Sequence, residues 1–244
     1  MSPRPRTRPG TIGLLFLRGW MRSRGAILWA GLIAAFIGLD WFSRELGTPL
    51  APWSLAFGIA ALLGVLGGYD VYSRLRTTGV LRLLLLSPVS LWRIALEHWG
   101  AAAILVSGGV LLFVSWLLAS GATVPAVGTT GTILVLVATA GLFAAFLQAF
   151  SLVMPRDAAV IGGFSLLFLG RAPLASMLPP WIPDWAFQAI GFVLPATWRL
   201  ERAAALEEPY LWAILLAVVQ IGAVLAAIRW RLGSVALCQR GPDA

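Results

Sequence analysis

The sequence predicts an all-α integral membrane protein with six transmembrane helices. Of its 244 residues, 59% are hydrophobic and only 11% are charged, whereas an ordinary soluble domain carries about 25% charged residues. Between Glu97 and Arg156 there are 58 residues without an aspartate, glutamate, lysine or arginine. Because about 20 apolar residues cross the hydrocarbon core as a helix, this stretch alone predicts two crossings.

Six apolar runs, separated by charged or turn-forming residues, define the predicted spans. They cover residues 25–43, 53–72, 99–118, 132–154, 158–178 and 210–228. Prolines and glycines at 48–52 and 121–131 support two of the breaks. We therefore expect one transmembrane domain over residues 1–244, with a six-span core at 25–228 between an N-terminal segment, 1–24, and a C-terminal tail, 229–244.

The arginines predict how the chain is oriented. Cytoplasmic segments next to membrane helices are enriched in lysine and arginine, and 14 of the 18 arginines fall on the inner side if the N-terminus is cytoplasmic. Both termini are therefore expected in the cytoplasm, with the chain in a bacterial inner membrane. The net charge of +8 then requires no nucleic-acid partner.

Two further apolar segments are too short or too broken to be spans. Residues 11–21 are flanked by arginines and include Leu14, Phe16, Arg18 and Trp20, which is typical of a helix lying among lipid at the membrane interface. Residues 179–198 contain four prolines and three tryptophans. They predict a broken, re-entrant or interfacial element on the outer side before the sixth span, because irregular backbone at membrane depth must be shielded.

Residue types missing from the sequence exclude several chemistries. Cys238 is the only cysteine and His98 the only histidine, so neither a disulfide nor a metal site is expected. Because the chain contains no lysine, it cannot form the phosphate loop of nucleotide hydrolases. The spans also lack paired acids and a serine–lysine pair, so no catalytic residue is predicted.

The loop between the second and third predicted spans carries the most informative motif. Residues 79–90 read Gly-Val-Leu-Arg-Leu-Leu-Leu-Leu-Ser-Pro-Val-Ser, and these leucines are too concentrated for a free loop. A short amphipathic helix is expected after Gly79 on the cytoplasmic face. It should end before Pro88, because proline disfavours helical geometry in the preceding residue.

This loop resembles that of permease subunits of ABC exporters of the second permease type. The resemblance extends to the interfacial helix, the six spans, the broken outer segment and the run Pro195-Ala196-Thr197-Trp198. It implies that the loop helix is a coupling helix that docks on a separate ATPase subunit. The residues implied at that contact are Gly79, Leu81, Arg82, Leu84, Leu85, Ser87 and Pro88.

The same resemblance implies the rest of the assembly. A second permease copy, identical or paralogous, would complete an export path, and ATP and magnesium would be bound by the ATPase subunit, with no cofactor in this chain. Two alternatives stay open: a membrane anchor or assembly subunit that docks another cytoplasmic protein, and an ABC permease of the haem-maturation type.

Three polar residues within the predicted spans are candidates for the pathway or a gate: Gln148, Arg171 and Gln220. Arg171 lies about 20 Å along the fifth span, where a guanidinium is costly unless it faces protein, water or an anionic substrate. The alternative is that Arg171 reaches the outer interface. The two amides are expected to bond another helix. Gly64 and Gly68 form a Gly-x-x-x-Gly that permits close helix approach, within the subunit or across a dimer.

Overall fold

The computed structural model describes residues 10–21, 24–47, 51–69, 71–87, 89–155, 158–159, 161–163, 165, 197–207 and 209–239. Within these ranges the chain is helical and has no strand, as the sequence predicts. The helices are α1 (Thr11–Met21), α2 (Arg24–Glu45), α3 (Pro52–Gly68), α4 (Val71–Thr77), α5 (Val80–Leu86), α6 (Leu91–Ala119), α7 (Gly128–Val153), α8 (Thr197–Ala204) and α9 (Tyr210–Gln239).

Five of these helical stretches are long and apolar enough to cross a membrane. They are Gly25–Glu45, Pro52–Thr77, Leu91–Ala119, Gly128–Val153 and Tyr210–Val235, and each corresponds to a predicted span. The fifth predicted span, 158–178, is described only at residues 158–159, 161–163 and 165, which are helical. Most of segment 179–198, together with Arg171 and Pro88, lies outside the described residues.

Two helices are longer than the apolar runs that predict them. The third span is predicted to begin at residue 99, but α6 begins at Leu91, where the Ser90 hydroxyl accepts a hydrogen bond from the Arg93 backbone N–H. The last span is predicted to end at 228, but α9 continues to Gln239. A span predicted from hydropathy ends at the first charged residues. The hydrogen-bonded helix continues beyond them, because charged residues do not interrupt backbone hydrogen bonding.

The centre of the bundle is the crossing of α3 and α7. A Cβ atom on Gly64 would lie 2.5 Å from the Ala140 carbonyl oxygen, and one on Gly68 would lie 2.5 Å from that of Ala144. The two glycines therefore let the backbones of α3 and α7 approach closely, as small residues do between membrane helices. The Gly-x-x-x-Gly motif is thus used inside the subunit.

Contacts at the two ends of α6 define the two ends of the bundle. At its first turns, Glu97 contacts the start of α1, and the Trp92 ring lies 5.2 Å from the Arg229 guanidinium of α9. At its far end, the Ser120 carbonyl accepts a hydrogen bond from Arg44 of α2 at 2.7 Å. The start of α1, the loop helix α5 and the last turns of α9 therefore share one end, here called the loop end.

Candidate functional site

Helix α5 is held at the loop end by a tight turn at each side. Gly79 has a φ of 72°, a left-handed conformation that glycine adopts without steric cost, and this reverses the chain after α4. The Thr77 and Thr78 hydroxyls donate to the Arg74 carbonyl at 3.0 and 2.8 Å. These hydrogen bonds satisfy a backbone carbonyl in the last turn of α4. The chain therefore enters α5 in a fixed direction.

The two serines of the Ser-Pro-Val-Ser sequence also have local structural roles. Ser87 follows the last turn of α5, where its hydroxyl donates to the Leu84 carbonyl at 2.6 Å. Ser90 caps α6, with 3.2 Å between its hydroxyl oxygen and the Arg93 backbone nitrogen. Serine favours both positions because its hydroxyl bonds nearby backbone groups. The motif therefore sets the angle between α5 and α6.

The leucines of α5 divide between buried and exposed positions. Leu81 and Leu85 are 4% and 6% exposed and belong to the hydrophobic core, and Leu84 packs partly against that core. The exposed apolar side chains are instead Val80, Leu83 and Leu86, at 40%, 69% and 58%. Spaced three residues apart, they share one side of the helix. We call these three side chains the loop-helix face. The sequence-derived contact set therefore contains core leucines and omits the exposed ones.

Helix α1 is fastened to the bundle by a carboxylate that sequence reasoning did not single out. Glu97 of α6 accepts hydrogen bonds from the backbone N–H groups of Gly10, Ile12 and Gly13 at 3.0, 2.9 and 3.2 Å. It is itself held by the Arg93 side chain at 2.6 Å. A negative charge at a helix start is favourable because the unpaired N–H groups point toward it. Glu97 therefore caps a helix that lies more than 80 residues away in sequence.

The residues predicted for the interfacial helix lie on different sides of α1. The Phe16 ring packs edge-on against His98 at 5.8 Å, and the Trp20 ring packs against Trp29 at 6.3 Å. Leu14 is 60% exposed, and Arg18 is exposed as well. One side of α1 thus contacts the bundle while apolar and basic side chains face outward, as in a helix embedded in a membrane surface.

Replacing Glu97 with alanine is expected to release α1 from the bundle. The substitution removes the acceptor of three backbone hydrogen bonds and the partner of Arg93, which together should cost about 2 kcal/mol. Hydrogen–deuterium exchange of the α1 amides should therefore accelerate at least about tenfold. Glu45→Ala, an exposed acid at the other end of the bundle, is the matched control. Unchanged α1 exchange in the Glu97 variant would contradict the capping role.

The two buried amides have different surroundings. Gln148 is fully buried beside Gly68 on the α3–α7 contact, and its amide atoms find no hydrogen-bond partner in the described part of the chain. Gln220 is 5% exposed on α9 and does make a polar contact. A pathway role for either residue stays a prediction. Among the described residues, no group of three His, Cys, Asp or Glu side chains could hold a metal ion.

A cavity of about 970 Å³ opens beside α5 at the loop end. Its lining includes apolar residues of α1, α2 and α3, the arginines Arg74 and Arg76 of α4, and the hydroxyl residues Ser73, Thr77 and Thr78. His98 also contributes to the lining. The lining therefore combines apolar and cationic residues.

Comparison with known proteins adds no relative to this description. No model of a known protein family matches the chain, and no curated protein matches it.

Proposed function

We propose that this chain is the transmembrane permease subunit of an ATP-driven ABC exporter in a bacterial cytoplasmic membrane. In this proposal it has six spans, both termini in the cytoplasm, and a separate ATPase subunit that supplies ATP hydrolysis and binds ATP and magnesium. The observation that carries the proposal is the loop-helix face. Val80, Leu83 and Leu86 present apolar side chains outward on a short helix whose opposite side is anchored in the core.

The anchoring of α5 is suited to transmitting a movement. Leu81 and Leu85 are buried in the same core as residues of α3, α6 and α7. The chain enters α5 through the turn at Gly79 and leaves it through Ser87 to the cap of α6. A partner that pushes on the loop-helix face would therefore move the inner ends of neighbouring spans as a unit, a rigid-body transition of the kind that switches access.

The charges at the loop end favour an acidic docking surface on the partner. Arg74, Arg76 and Arg82 are exposed around α5 and form no ion pair with a carboxylate in the part of the chain that the structure describes. A concentration of arginine on one side of the spans also favours the cytoplasm for this end. Complementary charge would orient the partner, while the apolar face would supply buried contact area.

The proposal includes a second permease copy, identical or paralogous, which would enclose the export path together with this one. Only 11% of the apolar stretch of α2 is buried within the subunit, against 65% of the α3–α4 stretch. Ile27 and Trp41 are 73% and 55% exposed, so α2 has an outward face that lipid or the second copy would cover. Arg171 and Gln220 remain the proposed path residues, whereas Gln148 is enclosed between α3 and α7.

A membrane anchor or assembly subunit is the second candidate. It would use the same loop-helix face to hold a cytoplasmic protein without transport. The burial of Gln148 within the α3–α7 contact favours it, because an amide enclosed between packed helices does not face an open path. A permease of the haem-maturation type would differ from the first proposal only in its substrate.

The test is gentle detergent purification of the tagged chain, followed by mass spectrometry and an ATP hydrolysis assay. We expect a stoichiometric partner that carries the phosphate loop this chain lacks, and ATPase activity in the purified complex. Reproducible purification of the folded chain with a cytoplasmic partner that does not hydrolyse ATP would overturn the exporter proposal in favour of the anchor.

A further inference from the structure

The cavity at the loop end has the chemistry of an amphiphile site. Its apolar lining includes Leu15 and Phe16 of α1, Leu28 of α2 and Leu66 of α3. Arg74 and Arg76 also line it, and none of the described lining residues is an aspartate or glutamate. A volume of about 970 Å³ is within the range of small-molecule sites, about 300–1,000 Å³. A ligand that matches this lining has a negative headgroup and a hydrocarbon portion.

The residues around the cavity suit the depth of lipid headgroups. Helix α1 forms one side of it, and the outward residues of this helix include Leu14, Leu15 and Met21, each at least 60% exposed. Such a helix lies with its apolar side at the boundary between headgroups and acyl chains. Trp20, which also lines the cavity, is a residue type enriched at that boundary. At that depth the cavity would be within reach of lipid from the surrounding leaflet.

The two arginines alone would not select a ligand. Both are exposed, and salt screens the attraction between exposed charges beyond about 10 Å, so a free anion in water would be held weakly. Attachment to acyl chains changes this balance, because the chains hold a lipid headgroup at the membrane surface, whereas a free anion has to be drawn from water. Headgroup and chain together therefore distinguish an anionic lipid both from free phosphate and from a zwitterionic lipid.

We propose that this cavity binds one anionic phospholipid of the inner leaflet. Its phosphate lies beside the Arg74–Arg76 segment of α4, and the upper part of its acyl chains lies against Leu15, Phe16 and Leu28. A lipid in this position contacts α1, α2 and α4, and Val80 and Leu84 of α5 line the same cavity. The lipid would therefore fasten the loop-helix face to the membrane surface. The proposal does not depend on an ATPase partner, since every lining residue named here belongs to this chain.

The test counts lipids bound to the purified full-length chain by native mass spectrometry, during titration with phosphatidylglycerol or phosphatidylcholine. We expect phosphatidylglycerol to bind preferentially at one site. The double variant Arg74→Gln/Arg76→Gln should weaken that binding at least about tenfold, while Arg82→Gln, on the same loop but outside the cavity lining, should leave it within about twofold.

A second pair of variants tests the apolar side of the cavity. Gly19 lines the cavity, and a Cβ atom there would meet nothing within 4 Å, so Gly19→Phe should fill the space and displace the lipid. Gly31→Phe, at an equally open position away from the cavity, is the control. Equal binding of phosphatidylglycerol and phosphatidylcholine would overturn the proposal. So would phosphatidylglycerol binding that is unaffected in both Arg74→Gln/Arg76→Gln and Gly19→Phe. Competition by inorganic phosphate at the same site would assign it to a free anion instead.

Discussion

Replacing Gly68 with valine is expected to prevent the chain from accumulating as a folded protein. A Cβ atom at this position would lie 2.5 Å from the Ala144 carbonyl oxygen and 2.7 Å from the Leu147 Cβ. The oxygen belongs to the backbone of α7 and cannot rotate away, so α3 and α7 would have to separate along their central crossing. Overpacking of a well-packed core costs about 1–3 kcal/mol, and separation of two central helices adds lost contacts to that cost.

The measurement is folded yield and thermal unfolding midpoint after size-exclusion chromatography in detergent. Gly64→Val should behave like Gly68→Val, because its Cβ would meet the Ala140 carbonyl at the same distance. Gly38→Val is the control, since a Cβ on this exposed residue of α2 would meet nothing within 4 Å. A folded but monomeric Gly68→Val protein would contradict the prediction and assign the glycine motif to a dimer interface.

Replacing Leu83 with aspartate is expected to release the proposed ATPase partner while the membrane part stays folded. Leu83 is 69% exposed at the middle of the loop-helix face, so the charge remains in water until the partner docks. Docking would then require burial of an unpaired carboxylate, which is strongly unfavourable. We expect recovery of the partner, and ATPase activity per purified chain, to fall at least about tenfold.

Leu85→Asp provides the contrast that makes the docking experiment specific. Leu85 is 6% exposed and lies in the core, so the same substitution there should lower the unfolding midpoint and the yield. Leu206→Asp, an exposed leucine in the turn between α8 and α9, should affect neither docking nor folding. If Leu83→Asp retained the full complement of partner, the loop-helix face would not be the docking surface.

Much of the architecture could be predicted from composition and local motifs. Long uncharged runs required helices, because an unpaired backbone polar group in hydrocarbon is too costly for any open structure. Five of the predicted spans therefore appear as apolar helices. The short helix after Gly79 was predictable for a local reason, since glycine permits the reversal before it and the Ser-Pro sequence ends it.

Which side of each helix faces the protein was decided only by the tertiary structure. Five of the seven residues of α5 are leucine and only Arg82 is charged. The sequence therefore marks a single position as exposed, and the packing that buries Leu85 but not Leu83 cannot be read from its periodicity. In the long helices the ambiguity is more general, because side chains facing lipid are as apolar as those facing the core.

The contact between Glu97 and α1 is a second feature that could not be predicted from the sequence, and it joins residues far apart in the chain. Nothing near Glu97 in the sequence marks it as a helix cap, and the N–H groups that it binds belong to Gly10, Ile12 and Gly13. The sequence by itself determined that the chain is helical, where its apolar segments lie and how its arginines are distributed. Tertiary packing alone decided that the Glu97 carboxylate caps the start of α1. The reason is that this contact forms only when two helices more than 80 residues apart in the sequence pack against each other.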